Sequence, residues 1–333
     1  MSRRSLLKLP FDSLIEKYDY YIEGKVNFCV YKKKDGRYYN IRLIKNNKMV
    51  LSISKNTDLI IWDLETNTLD KILKGDKEEI HLTEVLNDNR IISLYQNNLI
   101  RIWDINTGLY KKILYDHVDD IIIYRNNCII NVNNTEIHIW NPDTEKIERI
   151  IPETLEIILC MDNKIIGMAD CYLKIIDLQS GKLIRSFEGH TKNIENLHIF
   201  DSERIISSSY DNTIRIWNII TGICENIIET KGIELLLVFS DKTIITTWYS
   251  TIRIWKDYKN IQNLEGCTGK ITILKILPDE RLISVDGSVI RIWNLDSLKC
   301  EQVFCNKYII KSLYTLEDGR IITCDAHSIR VWK

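Results

Sequence analysis

Apolar residues in this chain gather in short runs, and the runs repeat. A β-rich run ends in tryptophan seven times: Leu59-Ile60-Ile61-Trp62, Ile100-Arg101-Ile102-Trp103, Ile137-His138-Ile139-Trp140, Ile214-Arg215-Ile216-Trp217, Ile252-Arg253-Ile254-Trp255, Ile290-Arg291-Ile292-Trp293 and Ile329-Arg330-Val331-Trp332. One further unit lacks the tryptophan and reads Leu173-Lys174-Ile175-Ile176-Asp177. With Ile176 at its tryptophan position, successive spacings are 41, 37, 36, 41, 38, 38 and 39 residues. A second echo precedes each tryptophan position by 12 to 14 residues, as in Arg90-Ile91-Ile92-Ser93, Lys164-Ile165-Ile166-Gly167, Arg204-Ile205-Ile206-Ser207, Arg281-Leu282-Ile283-Ser284 and Arg320-Ile321-Ile322-Thr323. Short apolar runs ending in small polar residues predict strands, and no helical 3.6-residue periodicity competes with them. The period is too long for a leucine-rich repeat and suits four short strands with their turns.

At these residues the chain resembles the WD40 repeat family. Trp62-Asp63 and Trp103-Asp104 carry the eponymous dipeptide, while Trp140, Trp217 and Trp293 are followed by asparagine. Gly189-His190 is an intact Gly-His pair, 27 residues before Trp217. The resemblance implies that His190, Ser209, Asp211 and Trp217 form the family's buried hydrogen-bonded tetrad. It also implies that each tryptophan ends the third strand of a blade. The expected fold is therefore all-β, a closed propeller of eight four-stranded blades, with the commoner seven as the alternative.

The alternating segment Lys25–Tyr31 is expected to pair beside Ser328–Trp332 and close the last blade, which removes an open sheet edge. Residues 25–333 then form the propeller, and residues 1–24 form a leader or short helix lying on it. Elsewhere the family pattern is eroded. Counting back from tryptophan, the positions of Asp211 become Asn56, Asn97, Asn134 and Ala326, and the Gly-His histidine becomes Asp76 or Cys267. One polar-stitched blade is expected, with packing of Ile, Leu and Val holding the others.

Composition narrows the function. The chain is 45% hydrophobic with a net charge of −1, which makes no electrostatic case for nucleic acid or an anionic membrane as partner. Nine scattered cysteines without a Cys-x-x-Cys pair point to a reducing, cytoplasmic setting and buried thiols, not to a disulfide frame or zinc site. Arg3 and Arg4 precede an apolar run broken by Lys8 and Pro10, so neither signal peptide nor membrane span is read. The chain has 60 isoleucines and 27 asparagines, with Ala169 and Ala326 its two alanines. That skew exceeds strand preference and reflects A/T-rich coding.

Candidate chemistry is thin. The six histidines show no zinc-like spacing, and no glycine-rich phosphate loop or nucleophile elbow is present. Glu78-Glu79 and Asp119-Asp120 fall in connections between blades. No enzyme activity, cofactor or metal is expected. Arg101, Arg215, Arg253, Arg291 and Arg330 stand two before their tryptophans and are read as packing residues, not as a phosphate-binding ring. F-box/WD-repeat receptors grip phosphopeptides through arginines near the start of inner strands. Here those positions are Asn40, His81, Ile122, Ile158, Glu195, Glu234, Thr272 and Lys311, so phosphopeptide recognition of that type is not expected.

The turns after second strands carry Tyr95-Gln96, Tyr210 and Trp248-Tyr249. Trp248 is the one tryptophan the repeat does not demand. Aromatics on rigid turns are interaction anchors, unless they fold back over the blade. Asp116, Asp119, Asp120 and Lys32-Lys33-Lys34 lie on other connections of that face. The expectation is a monomeric, non-enzymatic scaffold that binds protein partners there. The alternative is a ubiquitin-ligase substrate receptor recruited through its side or leader, where Leu9–Ile15 has a faint likeness to the start of an F-box.

Overall fold

The structure, a computed structural model, describes residues 21–25, 28–32, 39–44, 48–53, 58–66, 68–75, 79–86, 88–95, 99–114, 120–123, 129–132, 136–153, 155, 158–161, 163–325 and 328–332. These form eight antiparallel sheets. The sequence features at Leu9–Ile15, Lys33, Lys34, Asn56, Asp76, Gln96, Asn97, Asp116, Asp119, Asn134 and Ala326 lie outside the described residues. Among the described residues no helix is long and apolar enough to cross a membrane.

One unit comprises residues 1–153, 311–314 and 320–333. Its first three blades each run in chain order. Blade 1 is Tyr39–Ile44, Lys48–Ile53, Leu59–Asp63 and Thr68–Leu73; blade 2 is Ile80–Val85, Ile91–Tyr95, Leu99–Trp103 and Tyr110–Leu114. Blade 3 is Asp120–Ile123, Ile129–Val132, Ile137–Asn141 and Lys146–Ile151. Blade 8 is built from both ends of the chain: Ile310–Thr315, Ile321–Asp325 and Ser328–Trp332 are completed by Phe28–Lys32. Phe28 faces Trp332 and Lys32 faces Ser328, close to the predicted closure. The expected leader is shorter than read, because Tyr21–Lys25 adds a fifth strand outside Phe28–Lys32.

The other unit, residues 154–310 and 315–319, holds four blades. Blade 4 is Ile158–Met161, Lys164–Ala169, Tyr172–Asp177 and Leu183–Phe187; blade 5 is Ile194–Ile199, Arg204–Ser209, Thr213–Asn218 and Cys224–Glu229. Blade 6 is Leu235–Val238, Ile244–Trp248, Thr251–Lys256 and Lys259–Leu264; blade 7 is Ile271–Ile276, Leu282–Asp286, Val289–Asn294 and Lys299–Cys305.

Burial follows strand position. Second strands such as Ile91–Tyr95 and Leu282–Asp286 are buried throughout, whereas the outer strand Lys299–Cys305 is almost wholly exposed. A strand covered on both faces reads as a continuous apolar run, which explains the paired isoleucines of the second echo. Between blades 5 and 6 the core joins Ile206, Ile214 and Ile216 to Leu236, Ile244 and Trp255. Each such side chain contributes ~1.5–3 kcal/mol by leaving water.

The tryptophan positions share a local geometry. The pairing of third and fourth strands shifts register just before Trp62, Trp140, Ile176, Trp217, Trp255 and Trp293, a bulge that bends the outer strand. The following turn explains the next residue. Asp63 Oδ1 accepts the Glu65 and Thr66 N–H groups, and Asp104, Asn141, Asn218 and Asn294 make the same closure two and three residues on. One side-chain carbonyl oxygen suffices, so asparagine replaces aspartate without loss of the turn. Trp255-Lys256 lacks that oxygen. There Lys256 pairs with Lys259 across Asp257 and Tyr258, both at positive φ (48° and 64°), the backbone of a two-residue primed hairpin.

Candidate functional site

Blade 5 carries a buried chain of hydrogen bonds. The Trp217 indole N–H donates to Ser207 Oγ at 2.8 Å, Ser207 Oγ meets His190 Nε2 at 2.8 Å, and His190 Nδ1 meets Asp211 Oδ2 at 2.8 Å. Since Ser207 Oγ accepts from the indole, its own proton goes to Nε2. His190 is then neutral and donates from Nδ1 to Asp211. Burial holds the imidazole below its ordinary pKa despite the opposing pull of Asp211. Asp211 also accepts the Thr191 N–H, the Thr213 N–H and the Thr213 hydroxyl. These bonds overcome its partial burial and bring its carboxyl to about 2.

The serine of the network is Ser207, which corrects the expected Ser209. Ser209 Oγ instead donates to the Lys192 carbonyl at 2.8 Å and accepts the Asp211 N–H at 3.1 Å. Its side chain stands two residues beyond the tryptophan's reach, where it closes the turn.

Polar stitching is also wider than predicted. Among the described residues, hydroxyls also accept the indole N–H in blades 2, 6, 7 and 8: Ser93 from Trp103, Thr246 from Trp255, Ser284 from Trp293 and Thr323 from Trp332, at 2.7–2.9 Å. Each hydroxyl residue faces the arginine two before the tryptophan: Ser93 with Arg101, Ser207 with Arg215, Thr246 with Arg253, Ser284 with Arg291 and Thr323 with Arg330. Blade 4 replaces this triplet with Gly167, Lys174 and Ile176. A Cβ on Gly167 would meet Leu155 Cδ1 at 2.5 Å, so an apolar side chain fills the space of the missing network.

The arginines are packing residues, as expected, but their partners differ from blade to blade. Arg291 pairs with buried Asp286, and Arg330 with Asp325 at 2.7 Å. Arg215 lies 5.7 Å from the Trp217 ring centre and against Gly189. Arg253 donates to Thr230 Oγ1 at 2.9 Å, the Lys231 carbonyl at 2.7 Å and the Gly232 carbonyl at 3.1 Å. No group of three or more His, Cys, Asp or Glu placed to hold a metal exists among the described residues.

In two blades the residue two beyond the hydroxyl is aromatic. In blade 2 it is Tyr95, which is 1% exposed and corrects the expectation of an exposed anchor. Its ring covers the buried Arg101 guanidinium at 4.3 Å, and its hydroxyl accepts from Arg101 at 3.1 Å. In blade 6 it is Trp248, 47% exposed. Arg253 is engaged by the 230–232 connection, leaving nothing for the indole to cover there. One edge of Trp248 instead lies on Gly232, and the rest faces out. Tyr210 and Tyr249 are 59% and 60% exposed. Sequence reading missed Tyr172, 44% exposed after the equivalent turn of blade 4, because the absent tryptophan drew attention from that unit.

These turns are fixed. Asp170 O accepts the Ile194 N–H, Asn193 O accepts the Tyr210 N–H, and Tyr249 O accepts the Ile271 N–H. Asn212, at positive φ, binds the Gly232 N–H through its side chain at 3.1 Å. The Tyr172, Tyr210, Trp248 and Tyr249 rings therefore stand on a tied backbone along blades 4 to 6.

Residues 181–218, which span the His190 network, match the family described as WD domain, G-beta repeat. No curated protein sequence matches the chain. Solved structures share its fold. The computationally designed Ika8 protein is 19% identical with a TM-score of 0.73, over 88% of this chain and 94% of that one. The WD40 beta propeller domain of Doa1 is 16% identical with a TM-score of 0.55, over 78% and 94%. With eight blades of this topology and a family match centred on blade 5, the chain is a β-propeller of WD40 type.

Proposed function

We propose that this chain is a non-enzymatic protein-binding module that acts in the cytoplasm as a monomer and captures partners on the turns of blades 4 to 6. WD40 propellers commonly mediate protein–protein interaction. The observation that carries the reading is the exposure of Tyr210, Trp248 and Tyr249 on hydrogen-bonded turns. Such rings bury large area at low entropic cost, because the backbone beneath them is already ordered.

The test is affinity purification with quantitative proteomics on the wild type and a Tyr210→Ala/Trp248→Ala variant of matched stability. The reading expects a set of partners whose recovery falls at least tenfold in the variant. Undiminished recovery of every partner refutes it. Cullins and ligase adaptors recovered equally with both proteins would favour the substrate-receptor alternative.

A further inference from the structure

The exposed rings of blades 4 to 6 each border a carboxylate. Tyr172 follows the turn that holds Asp170, and because Leu173 pairs with Phe187 the next position along, Glu188, lies beside it. Ser209 pairs with Ile194 and the Tyr210 N–H donates to Asn193 O, which sets Tyr210 beside the strand that carries Glu195. Glu234, at the equivalent first-strand position of blade 6, accepts the Tyr249 N–H at 3.2 Å and holds Lys270 at 2.9 Å. The Ile194 N–H on Asp170 O ties the blade 4 turn to the strand carrying Glu195.

These carboxylates are unevenly compensated. Glu234 has Lys270, but among the described residues no cation lies within salt-bridge distance of Asp170, Glu188 or Glu195. That includes Lys192 and Lys231, which are exposed on the neighbouring connections. Tyr172 is raised above the ordinary tyrosine value by Cys171 first, then by Glu188 and Asp170. Tyr210 is raised by the neighbouring Glu195. Both environments favour positive charge beside an open aromatic face.

We infer that the strip formed by Tyr172, Glu188, Glu195 and Tyr210 takes a basic peptide segment, with a lysine or arginine side chain over a tyrosine ring and its charge against Glu188 or Glu195. An apolar neighbour in the same peptide packs on Trp248. The inference rests on the proposed binding role of this face. A cation over an aromatic ring gains quadrupole attraction, and a carboxylate at the ring's edge adds to it. An acidic or phosphorylated segment meets like charge there and is repelled, as is a nucleic acid.

The experiment is selection of a random dodecapeptide phage library on the full chain, followed by anisotropy titration of labelled selected peptides. Selected sequences should be enriched in lysine or arginine. Their affinity should fall about tenfold in Glu188→Gln/Glu195→Gln, and should weaken as salt rises from about 50 to 500 mM. Peptides that require Tyr210 and Trp248 but are neutral or acidic, or that bind the carboxamide variant equally well, overturn the basic-peptide inference and leave the binding face standing. Peptides indifferent to Tyr210→Ala and Trp248→Ala, or a selection that yields none, overturn both.

Discussion

Trp248 lies so close over Gly232 that a Cβ on Gly232 would stand 2.1 Å from the indole Cε3. Gly232 also sits at φ +61°, where only glycine is unstrained. Gly232→Ala should therefore cost about 1 kcal/mol in backbone strain and lift the indole from its seat. Partner recovery should drop to the Trp248→Ala level, read by pull-down beside a melting curve. Normal recovery with a displaced indole would detach ring position from binding. Arg253→Ala loosens the same connection and should reduce recovery as well, whereas Arg215→Ala should leave it intact.

The assignment of Ser207 over Ser209 separates two neighbouring alanine substitutions. Ser207→Ala strands the buried Trp217 N–H and His190 Nε2, and should cost about 1–3 kcal/mol. Ser209→Ala removes bonds at a turn where water can substitute, and should cost under about 1 kcal/mol. Denaturant midpoints for the two variants decide it; equal shifts would place both serines in the same network.

His190 and Asp211 make acid sensitivity readable in two steps. The folded imidazole titrates below the ordinary value of 6.5, so the unfolded chain binds its proton first. Stability should fall as pH drops below about 6.5 and level off beneath the folded pKa. Asp211 titrates at about 2 in the fold against 3.8 ordinarily. It should contribute about 2 kcal/mol above pH ~4 that disappears as pH falls toward 2. His190→Asn should erase the upper step and Asp211→Asn the lower one. An unchanged pH profile in either variant would contradict the network's protonation.

Blade 8 depends on Phe28–Lys32 for its outer strand. Deleting residues 21–32 should expose Ser328–Trp332 as an open edge and lower the melting midpoint by at least about 5 °C, with loss of cooperativity or aggregation. Calorimetry and light scattering would show it. An unchanged sharp transition in a monodisperse sample would mean that this pairing contributes nothing.

Strand order and blade number were legible because burial imposes a recurring pattern: paired apolar residues where a strand is covered on both faces, and in most blades a tryptophan beside the register shift. The turn chemistry was less legible because turn length varies. Asp211 stands six before Trp217, but Asp286 and Asp325 stand seven before Trp293 and Trp332, so fixed counting landed on neighbouring residues and hid two buried ion pairs. Tyr95 and Trp248 occupy equivalent positions with opposite fates. What separates them is whether the local arginine turns toward the ring or toward a connection, a contact that no single segment encodes. Tyr172 stood in the unit with the weakest repeat and was overlooked, although its exposure needs no tryptophan below it.

The pairing of Phe28–Lys32 with Ser328–Trp332 also has a consequence in time. A ribosome adding about 5–20 residues per second delivers the last strand of blade 8 roughly 15–60 s after the first segment of that sheet has emerged. Throughout that interval Tyr21–Lys25 and Phe28–Lys32 have no third strand to join, and an isolated two-stranded hairpin is marginal in water. The nascent chain thus carries an unsatisfied strand for the whole of that interval. Phe28–Lys32 must wait for a partner made about 300 residues later, and during that wait the chain is most open to chaperone capture or to pairing with a neighbour on the same polysome.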